Sequence, residues 1–502
     1  MTQPLIDSFL FMVSPASLGW TFLGVLLGLV FGAMPGLGGG MLMALMLPIT
    51  FMMQNVDAQN FLISIYVGGV SGGLISGILL GVPGVPAAIM TTVDGGAMAR
   101  KGLAARALSL GIMASFVGGM ISWLALVLLA APLAGIASKF KSFDYFAFVM
   151  LGIVLIAYMG GKNPVKGLMA GFFGIFVATI GFDSISASNR FTFGAPFLSN
   201  GFDIMPVLLG AFALRSVLTE LINPESGLTQ QATASLREVL RESGRAFRYP
   251  VNLVRSSLIG SWIGLLPGIG ANIGAIMSYM VANRLAKRPE EFGEGSEEAL
   301  VASEAGNNAT VGGALIPMIA LGIPGSGQDV ILMAALILHA VQPGPLLVIE
   351  HPDIFYGVIT SYFFANLAMI VLMFLAVKPL AKAIRMPAGL LAPIVLLFCV
   401  VGVVASHNRI EDLWVMLIFG FVGFGMHWLK FPLAPFVIGF VLGPLAEERL
   451  RSALMGTGGD FAPLIFQPVA GTILILCIGI ALWPLLSPRL MSAHRVRTKT
   501  SG

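Results

Sequence analysis

Apolar positions along the chain run in long blocks separated by short polar clusters, and the blocks are too long for core strands. About 20 apolar residues in a helix cross the roughly 30 Å hydrocarbon layer of a bilayer. On that measure the sequence predicts crossings near residues 104–132, 143–160, 165–182, 203–220, 354–378, 390–406, 411–428, 433–446 and 462–487. Two further runs, 61–98 and 304–340, are longer and are interrupted by Pro-Gly pairs. Two more, 18–53 and 256–283, carry a Pro-Gly tip between short arms and are expected to enter the membrane and return. The pattern predicts an all-α polytopic membrane protein with about 11 crossings and two re-entrant segments.

The interruptions come in pairs. GLVFGAMPGLGGG, residues 28–40, is echoed 232 positions later by GSWIGLLPGIGAN, residues 260–272. LGVPG at 80–84 is echoed by LGIPG at 321–325. These pairs predict two membrane repeats, 1–221 and 253–455, joined by a polar cytoplasmic linker at 222–252 and followed by a last crossing and basic tail at 456–502. Each repeat holds one re-entrant segment and five crossings, an odd number, so the second is expected to lie upside down relative to the first. The loops agree: QNVDAQN after the first motif has no Lys or Arg, whereas NRLAKRPEEF after its twin is basic.

Charge orients the map. Alternating the loops between two sides collects 22 of the 28 Lys and Arg residues on one of them, leaving only Lys139, Lys141, Arg190, Arg409, Arg449 and Arg451 on the other. The basic side is assigned to the cytoplasm, which puts the N-terminus outside and the C-terminus inside. The opening MTQPLIDSFLFMVSPA lacks a basic region before its apolar run, so that run is expected to stay in the mature protein. Composition points the same way. With 57% hydrophobic and 10% charged residues and a mean hydropathy of +0.92, the chain has too little polar surface for a soluble globule.

Inverted halves with broken helices at corresponding places are the pattern of secondary transporters, whose substrate and ion sites form near mid-membrane where helices break. Proline removes a backbone N–H and blocks the preceding turn, and glycine permits positive φ and close backbone approach. The backbone groups freed in this way are tolerated at membrane depth only where protein, water or solute satisfies them.

PGLGGG at 35–40, LGVPGVPAA at 80–88, LLPGIGAN at 265–272 and EAGNNATVGGALIPMIALGIPGSG at 304–327 resemble the large permease subunit of the tripartite tricarboxylate transporters, the TctA family. The resemblance covers nearly the whole chain. It implies a bacterial inner-membrane carrier that works with a small membrane subunit and a periplasmic substrate-binding protein. It further implies uptake of tri- or dicarboxylates in symport with sodium or protons, with no other cofactor and no nucleic-acid partner.

An anion would have to be held without fixed cations, because the motifs contain no Lys or Arg. The candidates are therefore backbone N–H groups and neutral side chains at the breaks: Pro35, Gly36, Gly38 and Gly39; Pro83 and Gly84; Pro267, Gly268, Gly270 and Asn272; and Asn307, Asn308, Thr310, Pro324, Gly325, Ser326, Gly327 and Gln328. Ser71, Ser76, Ala87, Ala88, Thr91 and Thr92 are first-half counterparts, although a lone Ser or Thr more often bonds its own helix. Two adjacent carboxamides, Asn307 and Asn308, would be costly in an apolar run without partners. For the coupling ion the candidates are Asp329, five residues past Pro324, and Asp94, which lies close enough to the basic ARKG loop to face water instead. Glu304 trails the acidic linker EEFGEGSEEALVASE and belongs either to that loop or to the membrane segment.

Other classes fare worse. The five histidines have no metal spacing, and Cys399 and Cys477 lack partner motifs, so neither a metal site nor a disulfide is expected. GTGGD at 456–460 offers Asp460 no carboxylate partner, so the sequence predicts no enzyme. A channel remains the rival reading.

Overall fold

The structure is a computed structural model that describes residues 2–34, 38–81, 83–159, 164–183, 185–186, 188–222, 235–266, 270–383, 388–407 and 409–480. It is helical almost throughout, with one two-stranded hairpin pairing Gly181–Asp183 with Ser188–Arg190. Helices Pro15–Ala33, Asn55–Leu79 and Ala104–Ala137, and the stretch Pro352–Leu375, are long and apolar enough to cross a membrane. This is an all-α membrane protein.

The chain divides into two compact units, and each draws on both halves of the sequence. The first comprises Met1–Ser138 and Asp203–Gly425, the second Lys139–Phe202 and Met426–Gly502.

Two helices form the centre of the first unit, Asn55–Leu79 and Glu297–Leu321, and nearly every residue of each is buried. A helix enclosed on all sides must be small as well as apolar, so that neighbouring backbones can close on it. Each receives its partner in the same way. A Cβ on Gly28 or Gly32 of helix Pro15–Ala33 would fall 2.4 Å from the Ile65 carbonyl oxygen or 2.1 Å from that of Gly69. A Cβ on Gly260 or Gly264 of helix Pro250–Leu265 would fall 2.2 Å from the Gly306 oxygen or 2.3 Å from that of Thr310. Only glycine fits at these distances. The two helix pairs are therefore packed in one register, and the matched glycines stand 232 residues apart, the spacing of the sequence echo.

Helix starts are locally encoded. Ser14 caps Pro15–Ala33 by accepting from the Ser17 N–H at 3.3 Å, with Pro15 at the first helical position. Ser296 caps Glu297–Leu321 through the Ala299 N–H, also at 3.3 Å. In the linker, Ser235 and Glu238 form a capping box ahead of Leu236–Glu242, while 223–234 lie outside the described residues. Beyond that short helix Glu242 meets Arg106 at 3.0 Å and Arg245. Partial burial pushes the Glu242 carboxyl upward, and the two guanidiniums outweigh it, holding the group below its ordinary range.

In the second unit Arg451 reaches Asp183 at 2.7 Å and Glu447 at 3.1 Å, while Arg190 grips Glu447 with both terminal nitrogens, which ties the hairpin to helix Leu433–Gly456. Cys399 and Cys477 are buried and unpaired with each other. Asp460 accepts from the Ala462 N–H at 2.8 Å in a turn.

Candidate functional site at the helix breaks

Each Pro-Gly break is shaped by a left-handed glycine. Gly81 and Gly322 have φ of +70° and +71°, a conformation open to glycine at little cost, and each ends the buried helix before it. After Pro324 the chain starts a new helix, Gly327–Leu338, at Ser326, whose hydroxyl accepts from the Asp329 N–H at 3.4 Å. After Pro83 it restarts through the 3-10 turn Pro86–Ala88 into helix Ile89–Arg100.

The four motifs converge inside the first unit. Gly84 lies against the end of Pro15–Ala33, where an added Cβ would fall 2.3 Å from the Gly32 oxygen. Gly325 lies against Pro250–Leu265 in the corresponding way, 3.1 Å from the Gly264 oxygen. The contacts also cross between halves. The Gln328 side chain sits against Gly40 of helix Gly38–Thr50, and Pro86–Ala88 packs on helix Gly270–Leu285. Of the candidate tip residues, Pro35, Gly36, Pro267 and Gly268 lie outside the described residues, as does the Asn272 side chain. Gly38 and Gly39 open the second arm of the first motif, and Gly270 opens that of its twin.

Polar groups knit the centre together. Ser71 Oγ donates to Asn308 Oδ1 at 2.7 Å, and Tyr362 OH donates to the Asn308 carbonyl at 3.1 Å. Asn307 reaches the Val70 carbonyl from Nδ2 at 3.5 Å and its side chain also lies against the Glu304 carboxyl, while its Oδ1 is buried without a partner among the described residues. Tyr66 OH lies 2.9 Å from Ser326 Oγ. Asp329 is fully buried. The Ser326 hydroxyl and the Gly325 and Ser326 N–H groups lie nearest its carboxylate, yet among the described residues neither oxygen has a partner at hydrogen-bonding geometry. Leaving such groups unpaired in a packed interior costs about 1–3 kcal/mol each, more when charged, so Asn307 Oδ1 and the Asp329 carboxyl are the polar atoms here with most to gain from a ligand.

Other candidates are accounted for locally. Ser76, Thr92 and Thr310 donate to carbonyls of their own helices, those of Gly73, Ala88 and Gly306. Asp94 does not face water; it is fully buried. Its carboxylate accepts from the N–H groups of Gly293, Gly295 and Ser296 and from Tyr279 OH. Glu304 is no part of the acidic loop. It sits buried inside Glu297–Leu321, accepting from Thr91 Oγ1 and, at 2.8 Å, from Ser115 Oγ. Residues 51–99 and 301–350 hold no Lys or Arg, so the breaks present an anion only with backbone dipoles and neutral side chains.

The family model described as the Tripartite tricarboxylate transporter TctA family matches residues 18–438. The chain belongs to the TctA family. That is a transporter family, and the matched stretch carries all four motifs and every candidate residue. Among relatives of this TctA chain, a protein of Agrobacterium vitis described as an uncharacterized 52.8 kDa protein in the TAR-I ttuC' 3' region is 32% identical over 475 residues, covering 94% of each chain. A second from the same organism, described as an uncharacterized protein in the TAR-II ttuC' 3' region, is 33% identical over 228 residues, covering 45% of this chain and 94% of its own. No solved structure matches.

Sequence reasoning missed Tyr66 and Tyr362 in this TctA core. A tyrosine inside an apolar run was the available signal, because a buried phenol needs a partner for its hydroxyl.

Proposed function

We propose that the chain is the permease of a three-component uptake system for tri- or dicarboxylates, driven by a sodium or proton gradient across the bacterial inner membrane. Its partners would be a small membrane subunit and a periplasmic substrate-binding protein. The observation that carries this reading is the convergence of the four Pro-Gly motifs, with each break set against the opening motif of its own half and of the other. A solute held there touches both halves at once, which a carrier needs if relative movement of its parts is to change the side of access.

In this reading 1–221 and 253–455 are inverted repeats, with about 11 crossings and two re-entrant segments between a periplasmic N-terminus and a cytoplasmic C-terminus. The matched glycine registers support the repeat, and the asymmetry of Lys and Arg supports the orientation. The binding protein delivers the anion. Backbone N–H groups at the breaks and the carboxamides of Asn307, Asn308 and Gln328 hold it, and Asp329 holds the cation that offsets its charge.

The test is uptake of labelled citrate and a dicarboxylate panel into proteoliposomes containing the chain and its two partners, under an imposed sodium or proton gradient. Saturable uptake that requires the binding protein, follows one gradient and fails in Asn307→Ala and Asp329→Asn is expected. Gradient-independent flux would indicate a channel, and uptake surviving both substitutions would move the site elsewhere.

A further inference from the structure

Glu304 is a fully buried carboxyl group, and among the described residues no cation lies against it. Its two oxygens accept from two neutral hydroxyls on different helices, Thr91 Oγ1 of Ile89–Arg100 and Ser115 Oγ of Ala104–Ala137. A third hydroxyl, Ser303 Oγ, lies 3.5 Å from Thr91 Oγ1, and the Asn307 side chain one turn on lies against the Glu304 carboxyl. The charged groups on the surrounding elements are turned to other partners. Asp94 is held by Gly293, Gly295 and Ser296, and Arg106 by Glu242 and Glu297. Asp57 accepts from Ser17, and Arg255 donates to Asn252. Tyr279 donates to Asp94, Tyr362 donates to Asn308, and Tyr66 pairs with Ser326. None of them faces Glu304.

An unbalanced charge in such a place is relieved by a proton or by a metal cation. The surroundings discriminate between the two. Glu304, Thr91, Ser115 and Ser303 all sit within helices, whose carbonyls are committed to the i to i+4 ladder. A sodium ion takes several oxygens, which membrane carriers supply from unwound backbone. Among the described residues three hydroxyls, the Asn307 carboxamide and the carboxylate are on offer, with no unwound carbonyl among them, whereas a proton needs one oxygen. Ser115 can instead donate to the carbonyl one turn back in its own helix, and Thr91 to a carbonyl of the turn Pro86–Ala88, so either can turn away or accept once the carboxyl is protonated.

We propose that Glu304 is a protonation site of the transport cycle, taking one proton from water as the carboxylate and releasing it on the other side from the neutral acid. It lies one turn before Asn307 and Asn308 on the same helix, and its donor Thr91 follows the first Pro-Gly break. Its charge state is thereby linked to both elements that frame the solute. The inference rests on the carrier reading but is tested apart from it.

The purified full chain in lipid is titrated by infrared difference spectroscopy, following the carbonyl stretch of a protonated carboxyl. Wild type is expected to show a titrating band that Glu304→Gln removes. Thr91→Val or Ser115→Ala, each deleting one hydroxyl that stabilises the carboxylate, is expected to move the midpoint up by about one pH unit. In liposomes with both partners, Glu304→Gln is expected to keep carboxylate exchange and lose accumulation driven by a pH gradient. The proposal is overturned if no band depends on Glu304, or if Glu304→Gln accumulates substrate with the wild-type pH profile. Absence of any carboxylate flux in wild type would instead defeat the carrier reading, while the infrared titration would still decide the protonation site.

Discussion

Asn308 Oδ1 accepts a hydrogen bond from Ser71 Oγ at 2.7 Å, and both residues are buried at the contact between the central helices of the two sequence halves. The hydroxyl has taken a partner on the other helix rather than a carbonyl of its own. Ser71→Ala strips the acceptor of its only side-chain donor and is expected to destabilise the first unit by about 1–3 kcal/mol. Ser71→Thr keeps the hydroxyl but adds a methyl in a packed interior, so it should rescue only in part. Thermal unfolding in detergent, compared across the two variants, checks the order.

The glycine contacts make a sharper test because they predict opposite signs on one helix. Gly32→Ala would press a methyl to 2.1 Å from the Gly69 oxygen, and Gly264→Ala would do the same 2.3 Å from that of Thr310. Backbone cannot yield as a flexible side chain can, so each is expected to cost about 1–3 kcal/mol or block folding. Gly19 of helix Pro15–Ala33 has nothing within 4 Å of an added Cβ. Gly19→Ala should therefore be neutral or gain about 0.4–1 kcal/mol from a less flexible unfolded chain. Yield and melting temperature of the three variants separate the cases.

What was legible in the sequence was whatever a residue type determines by itself. Pro83 and Pro324 cannot continue a helix, so both breaks could be placed within a residue or two, and the glycines at 81 and 322 end the helices before them. Partners far along the chain were not legible. The adjoining ARKG suggests water around Asp94, but its carboxylate turns to amides about 200 residues later. The acidic run before Glu304 leaves it open between loop and membrane segment, and the cap at Ser296 decides it by starting a helix that carries position 304 about two turns into the bundle. The division into units that mix both halves depends on contacts no local pattern records.

In the second unit the hairpin should come loose in acid. The Arg451 guanidinium and the Ser186 hydroxyl hold the Asp183 carboxyl well below the usual carboxylate range. A depressed value means the contribution is fully present above the unfolded value near about 4 and is lost as pH falls through the folded one. Protection of amides 181–183 and 188–190 against hydrogen exchange, relative to an unfolded chain at the same pH, is expected to persist at neutral pH and to fall only in strong acid. Asp183→Asn should lower protection at neutral pH to the level wild type reaches in strong acid, which flattens the profile. An unchanged profile in that variant would mean that Arg451 and Glu447 hold the hairpin without Asp183.

Asp94 separates a structural tie from a coupling site. Its carboxylate gathers three backbone N–H groups at 2.7 to 3.0 Å and Tyr279 OH at 3.0 Å, fastening the helix after the first break to the turn that starts Glu297–Leu321. Four donors leave the carboxylate no need of a cation, so we expect a tie. Asp94→Ala orphans the buried amides and should cost several kcal/mol, with little folded protein recovered. Asp94→Asn retains one acceptor oxygen and loses the charge, so it should fold with lowered stability. A tie predicts that uptake by Asp94→Asn, scaled to folded protein, keeps the wild-type dependence on the driving ion. Coupling at this position predicts the reverse: normal stability, continued substrate exchange and no response to the gradient.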